Sequence, residues 1–227
     1  MALPSQHSSR LEQPGADFIV PVTRFWERYG RLATGVLVGI AVLGAVGYFA
    51  LHSRQVAEEA AAGKLAEASL LYWQGDYARS LQLATETAGQ YGSTPSGIDA
   101  HRQAADAAYW GGDFKTAISE YRNYLTRRPS GLLADAARRS LAYALESDRR
   151  YVEASREYEA LVGHFDRGSS AEFLLAAARC LQSAGQPQDA LPRLRRVADE
   201  FGETEYANPA RIELAELQAT GTASRTP

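Results

Sequence analysis

Tyr109-Trp110-Gly111-Gly112-Asp113-Phe114 stands 37 residues after Tyr72-Trp73-Gln74-Gly75-Asp76-Tyr77, and the two stretches are one motif written twice. A further 37 residues on comes Asp148-Arg149-Arg150-Tyr151, and 36 beyond that Gly185-Gln186-Pro187. Take Tyr77, Phe114, Tyr151 and Pro187 as reference points. Nine residues before each stands an alanine: Ala68, Ala105, Ala142 or Ala178. Three residues after stand Ser80, Ala117, Ala154 and Ala190, and seven after stand Ala84, Tyr121, Tyr158 and Leu194. Self-similarity at such a period is the signature of stacked supersecondary units. The spacing predicts one helical hairpin per repeat, with small residues where two helices cross closely and a larger residue filling the space beside them. Glycine ends the first helix because it tolerates the left-handed terminal conformation, and aspartate opens the second by accepting backbone hydrogen bonds. No hairpin buries its apolar stripe alone, so stacked neighbours complete the core.

Ala215 lies 37 residues after Ala178, which makes residues 208 to 219 a fifth first helix. Asn208 can cap it, Pro209 suits its first turn, and with no second helix after it this element closes the stack. The expected fold class is therefore all-α: a solenoid of about four helical hairpins plus a C-terminal capping helix, preceded by one membrane helix.

The pattern resembles the tetratricopeptide repeat, whose order is a small residue, Gly-Asp-Tyr, Ala, an aromatic and a closing Pro. The second unit matches best, through Ala105, Gly112, Asp113, Phe114, Ala117, Tyr121 and Pro129. Elsewhere Asp166 and Gly202 replace the closing proline, and Pro187 replaces the aromatic. The resemblance covers residues 60 to 219 and implies peptide binding on a concave face built mainly by first helices. Counted from the small alanines, that face carries Leu65, Ser69, Tyr72, Arg102, Asp106, Tyr109, Arg139, Tyr143, Glu146, Arg179 and Gln182. The candidate protein-binding residues are Tyr72, Arg102, Asp106, Tyr109, Arg139, Tyr143, Glu146 and Arg179. Aromatics beside arginine offer apolar area together with planar donors. The tyrosines equally suit packing between repeats, with the charges keeping the groove soluble, and both readings stand at this point. The Lys and Asn clamp with which some family members hold a terminal carboxylate is missing.

Working outward from the repeats, residues 32 to 51 read LATGVLVGIAVLGAVGYFAL without one charge. A helix of that length covers ~30 Å, the thickness of a bilayer's hydrocarbon core. Phe25, Trp26 and Tyr29 precede the stretch, and Tyr48 and Phe49 sit near its end, the aromatic marking of a membrane interface. No small-x-small cleavage site follows at once, so an uncleaved signal anchor is expected. Arg24, Arg28 and Arg31 precede it, against Arg54 and the more distant Lys64 after it, which favours a cytoplasmic N-terminus and an extracytoplasmic repeat domain. Gly35, Gly39 and Gly47 share a face on which a second helix could approach closely, as in a homodimer; glycine is also simply common in membrane helices. Between Phe25 and Gln74 there is no proline, so the span is expected to run unbroken into the first repeat helix, a stiff connection. The expected organisation is a disordered cytoplasmic tail over 1–24, a transmembrane anchor over 25–52, the repeat domain over 53–219, and a disordered tail over 220–227.

The combination of a short aromatic and basic cytoplasmic stretch, a glycine-rich span and an extracytoplasmic repeat domain resembles the ancillary SecYEG translocon subunit family (YfgM-like proteins) of the bacterial inner membrane. The repeats alone are equally similar to envelope proteins that coordinate cell division and to lipoproteins of outer-membrane protein assembly. A lipoprotein would need a cysteine at its processed N-terminus, and Cys180 cannot serve. The partners these resemblances imply are translocon, chaperone or envelope proteins.

Composition narrows the remaining classes. A chain of 227 residues with 45% hydrophobic and 22% charged residues can bury a core, which excludes a disordered or collagen-like protein. The net charge of −3 argues against a nucleic-acid partner. A single cysteine excludes an internal disulfide; on a repeat helix Cys180 reads as a small buried residue rather than a nucleophile. His7, His52, His101 and His164 are scattered without metal-ligand spacing. His164, Asp166, Ser169 and Ser170 cluster in one inter-repeat turn, but no nucleophile-elbow or oxyanion-hole pattern accompanies them. The expectation is a non-catalytic interaction scaffold with no cofactor.

Overall fold

The computed structural model describes residues 16–223, with side chains placed for Trp26 and for residues 29–219. Among the described residues it contains nine helices and no strand: α1 (Ala16–Trp73), α2 (Tyr77–Gln90), α3 (Pro95–Trp110), α4 (Phe114–Arg127), α5 (Leu132–Ser147), α6 (Tyr151–Glu159), α7 (Arg167–Ser183), α8 (Pro187–Glu200) and α9 (Ala207–Ala223). Contacts divide the chain into two units, Met1–Gln55 and Val56–Pro227.

In the first unit, α1 begins at Ala16 rather than at Phe25, because the apolar run Phe18-Ile19-Val20 continues a helical pattern into the expected tail. Residues 1–15 of that tail lie outside the described residues. Every residue from Thr34 to Leu51 is exposed, including Leu43 and Phe49. Such a surface has no favourable solvent in water. With a mean hydropathy of 2.1, the stretch is long and apolar enough to cross a membrane. Two hydroxyls in and just after it bond within the helix: Thr34 donates to the Gly30 carbonyl at 2.8 Å and Ser53 to that of Ala50 at 3.0 Å. A Cβ placed at Gly35, Gly39 or Gly47 would meet nothing within 4 Å, so that face is open. No break interrupts the helix between residues 52 and 62, as the absence of proline predicts.

The second unit contains the repeats. From α2 to α9 each helix packs on the next in the chain. Ala68, Ala105, Ala142 and Ala178 are all 0% exposed, and so are Ser80, Ala117, Ala154 and Ala190 across the crossings from them. Where serine takes the small position it also ties the hairpin: Ser80 Oγ donates to the Ala68 carbonyl at 2.8 Å. Ala84, Tyr121, Tyr158 and Leu194 are buried beside them. One apolar cluster runs through the second and third repeats to Phe173 and Cys180, and another joins α7, α8 and α9.

The turn within each hairpin shows the sequence logic at work. Gly75, Gly112 and Gly185 adopt φ of 81°, 80° and 75°, a region open to glycine but crowded for other residues. Asp76 and Asp113 cap the helices that follow, accepting from the Arg79 and Thr116 amides. The third repeat departs on both counts. Arg149 occupies the left-handed position with φ 60°, Arg150 supplies no side-chain cap, and α6 is only nine residues long. Arg149→Gly should therefore raise stability by about 1 kcal/mol, the left-handed penalty of a residue with a Cβ. Urea unfolding followed by circular dichroism reads this directly; an unchanged or lowered midpoint would contradict it.

Helix α9 closes the stack. Ala210, Leu214 and Leu217 face the last apolar cluster, while Ala215, Asn208, Arg211 and Gln218 are exposed. Ala215 occupies the small position of the repeat yet is uncovered, because no described helix follows to cross it. Its exposed side is mixed, with Asn208, Arg211 and Gln218 alongside the apolar Ile212 and Ala215. The helix starts at Ala207, two residues earlier than the Pro209 start that Asn208 capping requires, and Asn208 Oδ1 instead accepts from the Arg211 guanidinium at 3.0 Å. It also ends at Ala223 rather than 219; residues 224–227 lie outside the described residues.

Candidate protein-binding face

The first-type helices, the end of α1 with α3, α5, α7 and α9, carry the residues counted from the small alanines, and the structure sorts them into three groups. At the first and second repeats, Tyr72 packs edge-on against Trp73, with ring centroids 5.3 Å apart, and 5.6 Å from Tyr77. Its hydroxyl is held above the ordinary tyrosine range by burial and by the Asp106 carboxylate, with the Trp110 indole acting the other way. Asp106 in turn accepts from Arg102 at 2.9 Å and from the Tyr121 hydroxyl at 2.6 Å. Burial lifts the Asp106 carboxyl above its usual value against both of those donors. Tyr72, Arg102 and Asp106 thus form one connected patch, with Ser69 beside it donating to Gln103 at 3.1 Å.

The second group lies over the second and third repeats. Tyr109 packs on Phe114 and edge-on against Trp110. Tyr143, 36% exposed, tilts against the buried Tyr158 at 5.9 Å. The Tyr158 hydroxyl donates to Glu146 at 2.7 Å. Glu172, Glu146 and Tyr109 hold the Tyr143 proton more tightly, after burial itself, and Arg139 opposes them, so these side chains share one electrostatic neighbourhood. The exposed Arg139 guanidinium sits 6.0 Å from the centre of the Phe165 ring.

Arg179 belongs to neither group. Its Nε donates to Glu213 at 3.0 Å, and Gln182 donates to the same carboxylate at 3.1 Å, tying α7 to α9. The two readings of the face therefore divide by position: Tyr72, Tyr109 and Tyr143 both pack and present an edge, Arg102 and Arg179 are engaged by carboxylates, and Arg139 is open.

Two residues escaped selection. Trp73 and Trp110 are 81% and 60% exposed, and they occupy the same position in successive repeats. Their signal lay in the repeated motif itself, where tryptophan precedes the turn and the third and fourth units have Ser147 and Ser183. Each indole packs on one side, Trp73 against Tyr72 and Trp110 against Tyr109, and leaves the rest of its ring in water.

The remaining polar clusters are structural. Asp166 Oδ1 caps α7 by accepting from the Ser169 amide at 2.7 Å, Ser170 donates to the Asp166 carbonyl, and His164 contacts Asp135 at 2.9 Å. Both the backbone and the side chain of Ser169 hold the Asp166 carboxyl below its usual range, which fits a helix cap. Cys180 is buried, and burial together with the Glu146 charge pushes its thiol up to about 12. A thiol so held is not a nucleophile at neutral pH.

A paired measurement separates packing from recognition on this face. Ala142→Leu overfills a crossing with no free space and should cost roughly 1–3 kcal/mol. Arg139→Ala, three residues earlier and exposed, should leave stability within ~0.5 kcal/mol while weakening partner capture. Melting and crosslinking of the two variants check the register; unfolding by Arg139→Ala alone would place the face elsewhere.

Stacked helical hairpins with buried small residues at every crossing and an aromatic first-helix face define a tetratricopeptide-type repeat protein, a class that typically binds protein partners without catalysis. The chain belongs to the tetratricopeptide repeat-like domain family, whose profile matches residues 23–161. No curated protein sequence matches it. Among solved structures it is similar to a Podosopora anserina protein of kinesin light chain type with "nearly identical TPR-like repeats", at 19% identity and a TM-score of 0.54, over 70% of this chain and 86% of that one. A substituted variant of the same protein aligns equally well. At that identity the likeness carries the fold alone.

Proposed function

We propose that this chain is a single-pass, membrane-anchored, non-catalytic scaffold of the bacterial inner membrane, with its N-terminus in the cytoplasm and its repeats outside. The observation that carries the reading is the pairing of a fully exposed apolar helix stretch with a repeat unit whose first helices hold aromatics at the surface. The first is stable only in lipid, and the second is suited to holding protein. Its resemblance to the ancillary translocon subunits directs the proposal to the Sec translocon and to the periplasmic chaperoning of exported proteins. The repeat length of 36 to 37 residues, similar to envelope proteins, supports a second reading as a coordinator of cell division or outer-membrane assembly.

Two measurements test this. Protease added to spheroplasts should digest the repeats and leave a small protected N-terminal fragment; full protection of residues 60 to 219 would overturn the orientation. A photoreactive residue at Tyr109 should then capture the partner in living cells. Translocon or chaperone capture supports the first reading, septal or outer-membrane assembly proteins the second, and capture of no protein would count against a scaffold.

A further inference from the structure

We infer that the edge of the stack between the second and third repeats docks on the lipid surface, with Leu132 and Leu133 in the boundary between headgroups and acyl chains and Arg127 at the lipid phosphates. The inference rests on the membrane-anchored reading of the chain and adds a second contact with the same bilayer.

Each hairpin returns the chain to the edge at which it began, so the connections over 91–94 and 128–131 are neighbours. Arg127 donates to the Gly92 carbonyl at 2.7 Å and Arg128 to that of Pro95 at 3.4 Å. Glu58 of α1 reaches the same edge, accepting from the Ser96 amide at 3.1 Å and from its hydroxyl at 2.6 Å. At the rim, in the first turn of α5, Leu132 and Leu133 are 73% and 53% exposed and join none of the apolar clusters. Val56, just before Glu58 in α1, is exposed as well.

The charges at this edge leave one cation over. Asp99 is paired with Arg128, Asp135 is contacted by His164, and Glu58 is held by Ser96. Arg127 has no carboxylate partner among the described residues and meets only a backbone carbonyl. Apolar side chains beside a net positive charge are the chemistry of a membrane-surface contact.

Size and tether select lipid over protein. Each partner in a stable protein interface contributes ~800 Å², far beyond two leucines, whereas binding at a membrane surface grows with each apolar group inserted. Leu51 closes the chargeless stretch seven residues before Glu58, ~10 Å of unbroken helix. A tether that short keeps lipid at high effective concentration, so a contact too weak to recruit a free protein suffices here.

The test uses the full-length protein, one copy per nanodisc, in equal parts phosphatidylcholine and phosphatidylglycerol. Ser130→Cys, Lys115→Cys and Val38→Cys each carry a nitrobenzoxadiazole fluorophore, for which the buried Cys180 does not compete. Ser130 is exposed beside the leucines, and Lys115 is exposed at the opposite edge, roughly 20 Å away along α4. Val38 lies in the apolar stretch. A lipid with a doxyl quencher high on its acyl chain should dim the Ser130 label and leave the Lys115 label bright. Leu132→Ser with Leu133→Ser should abolish that dimming, and Arg127→Glu should reduce it. All of these positions are exposed, and unchanged circular dichroism melts verify folding. An undimmed Ser130 label, equal dimming of Ser130 and Lys115, or dimming that survives the double serine variant would each overturn the inference. Blue-shifted but undimmed Ser130 emission would mean that protein covers the leucines, and would overturn it as well. Dimming unmoved by Arg127→Glu would overturn the phosphate contact. The Val38 label keeps the two readings apart: a dimmed Val38 with an undimmed Ser130 overturns the docking alone, whereas an undimmed Val38 overturns the anchor and the docking with it.

Discussion

Gly97→Ala should destabilise the repeat unit by about 3 kcal/mol, the upper end of what overpacking usually costs. Gly97 is buried in the first turn of α3, and its amide donates to the Thr94 hydroxyl that caps the helix, at 3.1 Å. A Cβ built there falls on the Tyr91 carbonyl, with the Gly92 amide also close. These are backbone atoms, so no side chain can rotate away; the turn over residues 91–94 must move, and the cap moves with it. The melting temperature should fall by on the order of 10 °C. Gly89→Ala is the control. That glycine lies within α2 with nothing inside 4 Å of a new Cβ, and the alanine should be neutral or stabilising by up to about 1 kcal/mol. Thermal melts of both variants by circular dichroism decide the matter, and equal melting points would refute the account of Gly97.

Tyr158→Ala should be larger still, costing roughly 3–5 kcal/mol as a fully buried aromatic is removed and a cavity left. Tyr158 is 1% exposed, contacts Tyr143, and stacks at 21° on Phe173 of the next repeat. Its loss should therefore loosen α7 as well as its own hairpin, because repeat stability is shared through interfaces. Tyr158→Phe dissects the effect. It keeps the ring and removes only the bond to Glu146, whose exposed carboxylate can return to water, so the cost should be about 1 kcal/mol. Hydrogen exchange of the α7 amides reads the spread: protection should drop in the alanine variant and persist in the phenylalanine one.

The repeat register was legible because its cause is local and repeated. Only a small side chain fits where two helices cross, so Ala68, Ala105, Ala142 and Ala178 recur in step, and all four are completely buried. The glycine and aspartate of the first two turns, Gly75-Asp76 and Gly112-Asp113, were legible for the same reason, since their roles involve only neighbouring backbone. Contacts that depend on how a connection folds back were not. Nothing in the spacing of Tyr91 and Gly97 says that one carbonyl lies against the other's Cα. The Tyr121–Asp106 and Tyr158–Glu146 bonds were likewise hidden, because the acceptor sits at a different register position in each repeat. The candidate face was read as a set of positions, but which of its charges were spoken for required partners from other helices, as Glu213 shows for Arg179. Trp73 and Trp110 stood inside the repeated motif with no role given to them, and only their exposure marks them as surface.

Cys180 has a practical side. The protein's one thiol lies inside the fourth repeat, 1% exposed and with its ionisation pushed up to about 12. Maleimide and spin-label reagents need a reachable thiolate, and the native cysteine offers neither access nor charge at neutral pH. A cysteine introduced at an open site such as Trp73 or Arg139 would be the sole reactive group in an otherwise natural chain. Distances along the solenoid then become measurable by spectroscopy without first deleting a core residue.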